Sequence, residues 1–138
     1  MIVWYRFSMR LLGIDYGTKR VGIALSDEAS QFALPFAVIA NSQSLMSGLA
    51  GEVEKIAIAN EVREIVLGES KDYKGEPNKI MSGSLELKKQ LESKGFIVCL
   101  QPEFMTSVQA ERLQGKNAKS DSSAAALILQ AYLDKYQE

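Results

Sequence analysis

Apolar residues cluster in short runs near the start of the chain and recur at wider spacing further along it. Leu11–Tyr16 and Arg20–Ser26 are apolar runs on either side of Gly17-Thr18-Lys19, which predicts two strands joined by a glycine turn. Pro35–Ala40 predicts a third strand. After Ser44, a residue suited to cap a helix, Leu45, Leu49, Val53 and Ile56 recur at helical spacing. Glu64–Gly68 reads as a buried strand, and the polar stretch 69–78 leads into a helix marked by Ile80, Leu87 and Leu91 and closed by Gly95. Phe96–Leu100 reads as another buried strand, interrupted by Pro102. A short helix around Val108, Ala110 and Leu113 follows, then a polar, basic loop over 114–119. Ser120 is placed to cap a final helix carrying Ala124, Ile128 and Tyr132. This order predicts one α/β domain with a mixed sheet of about five strands flanked by helices.

With 138 residues the chain can bury a real core but cannot form two large lobes. Its net charge of −1, from 16 basic and 17 acidic residues, means that any nucleic-acid site is a local patch rather than a cationic body. The absence of histidine and the single cysteine remove the intramolecular disulfide, the usual zinc clusters and histidine-based triads. Carboxylates are what remains for chemistry. Cys99, inside an apolar run, reads as a small buried hydrophobe. Met1–Ser8 is apolar and aromatic but too short to span a membrane, and it lacks a cleavage pattern. It is expected to be an upstream start or an extension ahead of a domain over 9–138, in a cytoplasmic protein with no membrane partner.

Asp15 lies inside an apolar strand, where a carboxylate is costly unless it is hydrogen-bonded, paired or bound to a cation. Two readings stand: an acceptor for turn amides near Gly17, or a metal ligand. Asp27, at the end of its strand, reads as a solvated turn residue. Asp121 stands where a helix begins, a position that the helix dipole alone favours. Glu69 ends a strand, where most glutamates are simply solvated. Lys19, Arg20, Arg112, Lys116 and Lys119 flank these acids in sequence and are candidate phosphate contacts, although surface lysines and arginines are commonly just solvated.

The unbroken run Gly13-Ile14-Asp15-Tyr16-Gly17-Thr18-Lys19-Arg20 resembles the opening motif of the YqgF (RuvX) family of the ribonuclease H-like superfamily, pre-16S rRNA nucleases and Holliday junction resolvases. The likeness continues through Ile65-Val66-Leu67-Gly68 and the polar 71–76 loop to Asp121–Leu133 with its Asp-x-x-Ala-Ala pattern, covering about 9–133. It implies a ribonuclease H-like fold and a metal-dependent nuclease that hydrolyses phosphodiester bonds in structured RNA, precursor 16S rRNA or branched DNA. It implies one or two magnesium or manganese ions on carboxylates from separate elements, with Asp15, Glu103 and Asp121 as catalytic residues and Glu69 as a further metal ligand. Such hard cations take oxygen donors and need no histidine. Where the family has Asp-Glu-Arg followed by Leu-Thr-Thr, this chain has Pro102-Glu103-Phe104-Met105-Thr106-Ser107. Where the family tends to Gly-Leu-Pro, it has Gly68-Glu69-Ser70. The first change removes an acid and a bidentate phosphate contact; the second supplies a carboxylate that can stand in.

Two other classes compete. The altered motif also fits a catalytically silent RNA-binding or ribosome-assembly factor, which binds RNA without cleaving it. Asp15-Tyr16-Gly17-Thr18 also resembles the phosphate loop of the actin and Hsp70 superfamily, whose nucleotide cleft needs two lobes that this chain is too short to supply. A junction resolvase would further act as a homodimer, presenting two sites to symmetric strands.

Overall fold

The computed structural model describes residues 10–41, 48–69, 79–102 and 118–135, with the side chains of 79–81 and 118–121 left aside. In chain order the elements are β1 (Arg10–Asp15), β2 (Arg20–Ser26), β3 (Ala33–Ala40), α1 (Gly48–Ala59), β4 (Val62–Glu69), α2 (Lys79–Ser93), β5 (Ile97–Pro102) and α3 (Ala118–Lys135). The cap at Ser44, the short helix around Val108–Leu113, the loop 114–117, and Glu103, Arg112 and Lys116 fall outside the described residues.

Five strands form one mixed sheet in the order β3-β2-β1-β4-β5. The hairpin strands β1, β2 and β3 pair antiparallel, while β1, β4 and β5 run parallel. Parallel neighbours need a crossover, and α2 supplies the one between β4 and β5. The consequence for function is positional: β1, β4 and β5 end at the same edge, at Asp15, Glu69 and Pro102. In open α/β sheets, ligands bind outside the carboxyl ends of parallel strands.

Alternation along the strands sends side chains to two layers. Leu12, Ile14, Val21, Ile23, Ile65 and Leu67 pack with Val53 and Ala57 of α1 and Leu87 and Leu91 of α2. On the other face, Ala24 and Val66 pack with Ala125, Ile128, Leu129 and Leu133 of α3. A Cβ on Gly13 would stand 2.8 Å from Leu129 Cβ and 3.0 Å from the Ala125 carbonyl oxygen, so the missing side chain lets α3 lie directly on β1.

The close of α2 follows the sequence expectation. Phe96 N–H donates to the Leu91 carbonyl at 3.2 Å and Gly95 N–H to that of Glu92 at 3.0 Å, the paired bonds of a Schellman cap, with Leu91 and Phe96 in apolar contact with the same core. Gly95 takes φ 99°, and nothing lies within 4 Å of where its Cβ would be. Gly95→Ala therefore isolates the conformational cost. We expect a loss of about 1–2 kcal/mol in chemical denaturation, with no change in the cooperativity of unfolding.

Three expectations are corrected. Phe96–Leu100 is not a buried strand: β5 is an edge strand, and Ile97 is 59% exposed. Ser120 does not cap the last helix, which already begins at Ala118 and takes Lys119 out of the loop and into its first turn. Cys99 is only half-buried, with Sγ 3.6 Å from the Tyr132 hydroxyl and 3.9 Å from Glu64 Oε2. Tyr132 lies on α3 as expected and packs against its apolar cluster, and its hydroxyl also donates to Glu64 at 2.6 Å, tying α3 to β4.

Candidate active site

Asp15 is the last residue of β1, half-buried, and paired in register with Gly22 of β2. It shares a pleat side with Gly13, and hence faces the α3 layer. α3 runs antiparallel to β1, since Leu11 packs with the cluster that includes Leu133 while Gly13 meets Leu129 and Ala125. From Gly13 to Asp15 is about 6.6 Å along the strand, equal to roughly four residues of helix. That step brings the first turn of α3, which holds Asp121, level with Asp15.

Glu69 ends the neighbouring strand β4, paired with Pro102 of β5. The same alternation puts it on the pleat side of Ile65 and Leu67, opposite to Asp15. To share a ligand with Asp15 it must reach around the strand end. β5 stops one residue before Glu103. Among the described residues no three Asp, Glu, Cys or His side chains gather closely enough to hold a metal ion, and of the four predicted ligands only Asp15 and Glu69 have described side chains.

Lys19 and Arg20 are exposed at the turn after Asp15, at the same sheet edge. The turn is pinned: Asn41 donates its side-chain amide to the Gly17 carbonyl at 2.7 Å and its backbone N–H to that of Lys19 at 2.9 Å. A Cβ on Gly17 would lie 2.5 Å from the Arg20 carbonyl oxygen, which explains the glycine. On the other side of Asp15, Tyr16 packs its ring against Gly83 of α2, where any larger residue would collide with it.

One residue at this edge escaped the sequence reading. Gln101 of β5 is 4% exposed, and its Oε1 has no hydrogen-bond partner among the described residues. Leaving a buried acceptor unpaired costs about 1–3 kcal/mol. Val98 and Leu100 pack on the α1 and α2 side, while Cys99 meets Tyr132 of α3, so Gln101 faces α3 as Asp15 does. A polar residue breaking the apolar alternation of β5 was the available signal.

Asp27 takes the structural role that its turn position suggested. Its Oδ1 accepts N–H bonds from Gln31 at 2.8 Å and Phe32 at 3.1 Å, while Ser30 bends the loop with φ 57°. The Phe32 amide, chiefly, holds the Asp27 carboxyl below its ordinary value of 3.8. A depressed folded-state value means that the contribution is full above the unfolded value and disappears as pH falls through the folded one. The stability gap between the wild-type chain and Asp27→Asn should thus shrink on acidification below about pH 3.8 in denaturation series, and a gap that widens would contradict this. A depression of about 610 Å³ lined by Arg10, Asp27, Glu28 and Asn60 opens at the far end of β1. Its charges are engaged with each other, Arg10 lying 3.8 Å from Glu28 and 3.3 Å from Asn60, so we place the site at the opposite edge, with Asp15.

Solved structures match this architecture. RuvC from Thermus thermophilus, in a complex with Holliday junction substrate, superposes with a TM-score of 0.61 over 93% of this chain and 95% of that one, at 14% identity. The fowlpox virus Holliday junction resolvase gives 0.56 over 92% and 99%, also at 14% identity. Both carry the ribonuclease H-like fold of RuvC-type resolvases, and this chain shares it. At the level of sequence the assignment sharpens: residues 9–135 match the family model described as RuvX, Holliday junction resolvase, and the chain belongs to that family. A Corynebacterium diphtheriae protein named "Putative pre-16S rRNA nuclease" is 31% identical over 91% of this chain and 84% of its own length. A protein of the same name from Lachnospira eligens is 31% identical over 94% and 100%. No helix among the described residues is long and apolar enough to cross a membrane.

Proposed function

We propose that this chain is a metal-dependent nuclease that hydrolyses phosphodiester bonds in precursor 16S rRNA, in the cytoplasm, during maturation of the 5′ end. The observation that carries the reading is the position of Asp15: a carboxylate at the end of a central strand, on the face where the first turn of α3 comes level with it. The relatives named for pre-16S rRNA processing are matched along nearly their whole length, which favours RNA over a four-way DNA junction.

The donors available at this edge fit a hard cation. They are oxygens, and they include a buried carbonyl oxygen that has no partner among the described residues. Asp15, Glu103 and Asp121 would hold magnesium or manganese, with Glu69 as the alternate ligand from the far pleat side. One ion or two would supply charge neutralisation at the phosphodiester and a water made nucleophilic near neutral pH. Asp15 anchors the site from the rigid centre of the sheet. Lys19 and Arg20, with Arg112, Lys116 and Lys119 from the stretch that leads in sequence to Asp121, would contact phosphates and align the strand. With a net charge of −1, binding should be modest and salt-sensitive.

The test sets a labelled precursor 16S rRNA fragment beside a four-way DNA junction, each with manganese, magnesium or chelator. Cleavage of the RNA that needs metal supports the proposal. Cleavage of the junction alone, by a dimer, would reassign the substrate. Binding of RNA without cleavage in either metal would favour a silent assembly factor, the reading that Pro102-Glu103-Phe104 invites.

A further inference from the structure

Gln101, which neither the motif nor the predicted ligand set includes, lies in one row with Asp15. Gly68 pairs with Gln101, and Ile14 pairs with Leu67, so the register continued by one residue sets Asp15 beside Gly68. Asp15, Gly68 and Gln101 thus span three adjacent strands on the face toward α3. The middle residue has no side chain, which leaves the ground between the outer two open. Two strand spacings separate the Cα atoms of Asp15 and Gln101 by roughly 10 Å. A carboxylate and a glutamine amide extended toward each other cover most of that span, and cation–oxygen distances of about 2.1 Å at each end close it.

We propose that Gln101 supplies its side-chain carbonyl oxygen as a neutral ligand to the divalent cation that Asp15 holds; the inference rests on the reading of Asp15 as a metal ligand. Three facts converge on it. Gln101 Oε1 is buried and has no hydrogen-bond partner among the described residues, so the fold spends stability on an unpaired acceptor there. Amide oxygens are regular ligands of magnesium, manganese and calcium. Finally, Gln101 stands on the same pleat side as Asp15, with only Gly68 between them in the row.

The test measures manganese binding rather than turnover, by titration calorimetry of the full chain in its wild-type form and as Gln101→Leu, Gln101→Glu and Asp15→Asn. Gln101→Leu should weaken manganese binding about tenfold or more. Its melting temperature without metal should hold or rise, because an unpaired buried acceptor has been removed. Gln101→Glu should bind manganese more tightly than the wild type, since it adds a charged ligand at the same point. Wild-type affinity in Gln101→Leu, with binding lost in Asp15→Asn, overturns the role of Gln101 and leaves Asp15 standing. A wild-type chain that binds no manganese overturns both. Should Gln101→Leu be too unstable to titrate, Gln101→Glu decides, and affinity equal to or below that of the wild type overturns the inference.

Discussion

Gly13→Val is expected to cost roughly 3 kcal/mol, at the upper end of the penalty for overpacking a core. A side chain there meets Leu129 Cβ at 2.8 Å and the Ala125 carbonyl oxygen at 3.0 Å. Both atoms are fixed by the helix backbone, since rotating the Leu129 side chain does not move its Cβ, and neither can yield without lifting α3 from the sheet. Because α3 also holds β3, through Gln130 accepting from Ala33 N–H at 2.8 Å and donating to the Gln31 carbonyl at 3.1 Å, its displacement loosens the hairpin as well. For a domain of this size the melting temperature should fall by roughly 10 °C. The milder Gly13→Ala combined with Leu129→Gly should lose less than the sum of the two single changes, because the nearer of the two close approaches goes with the Leu129 Cβ. Strict additivity would show that α3 does not rest on Gly13.

The second large effect is on chemistry. Asp15→Asn should slow metal-dependent cleavage by about a thousandfold or more, equivalent to about 4 kcal/mol of barrier. Asparagine keeps the size of the side chain and one carbonyl oxygen but removes the charge that a divalent cation requires. The chain should remain folded, because asparagine matches aspartate in size and keeps an acceptor oxygen in a half-buried position. A loss of activity accompanied by a loss of fold would instead mark Asp15 as a turn acceptor. Circular dichroism and cleavage on the same preparation separate the two.

Much of the architecture was readable because the strands are short apolar runs between polar or glycine turns. Leu12 and Ile14 against Gly13 and Asp15, and Ile65 and Leu67 against Val66, announce a sheet covered on both faces. The closing glycine of α2 was legible for the same local reason, since only a residue without Cβ suits φ 99°. Errors arose where tertiary position outweighs local pattern. Phe96–Leu100 has the composition of a central strand, but its place at the edge of the sheet exposes Ile97, and no property of the run itself encodes that. Ser120 carried the cap signal, yet the helix starts at Ala118, whose own residue type gives no such sign.

The candidate site was legible residue by residue but not as an arrangement. Asp15 stood out because a charge inside an apolar run needs a reason. Glu69 looked equally suitable in one dimension, and only the parity of the pleat, counted from Leu67, turns it to the other side of the sheet. Gln101 drew no notice, because a lone glutamine carries no chemical signature. Its meaning comes from an unpaired oxygen and from a register across three strands.

The most direct test of the central claim, that the edge at Asp15 is the nuclease site, compares two aspartates at opposite ends of the sheet, Asp15 at the end of β1 and Asp27 in the turn after β2. Single-turnover cleavage of the labelled precursor 16S rRNA fragment would be measured in manganese for the wild-type chain, Asp15→Asn and Asp27→Asn. The account predicts that Asp27→Asn, which loosens only a loop at the far end of the sheet, cleaves at nearly the wild-type rate. It predicts that Asp15→Asn falls to the level seen in chelator while remaining folded. Full activity in Asp15→Asn would contradict the account and move the chemistry elsewhere in the molecule.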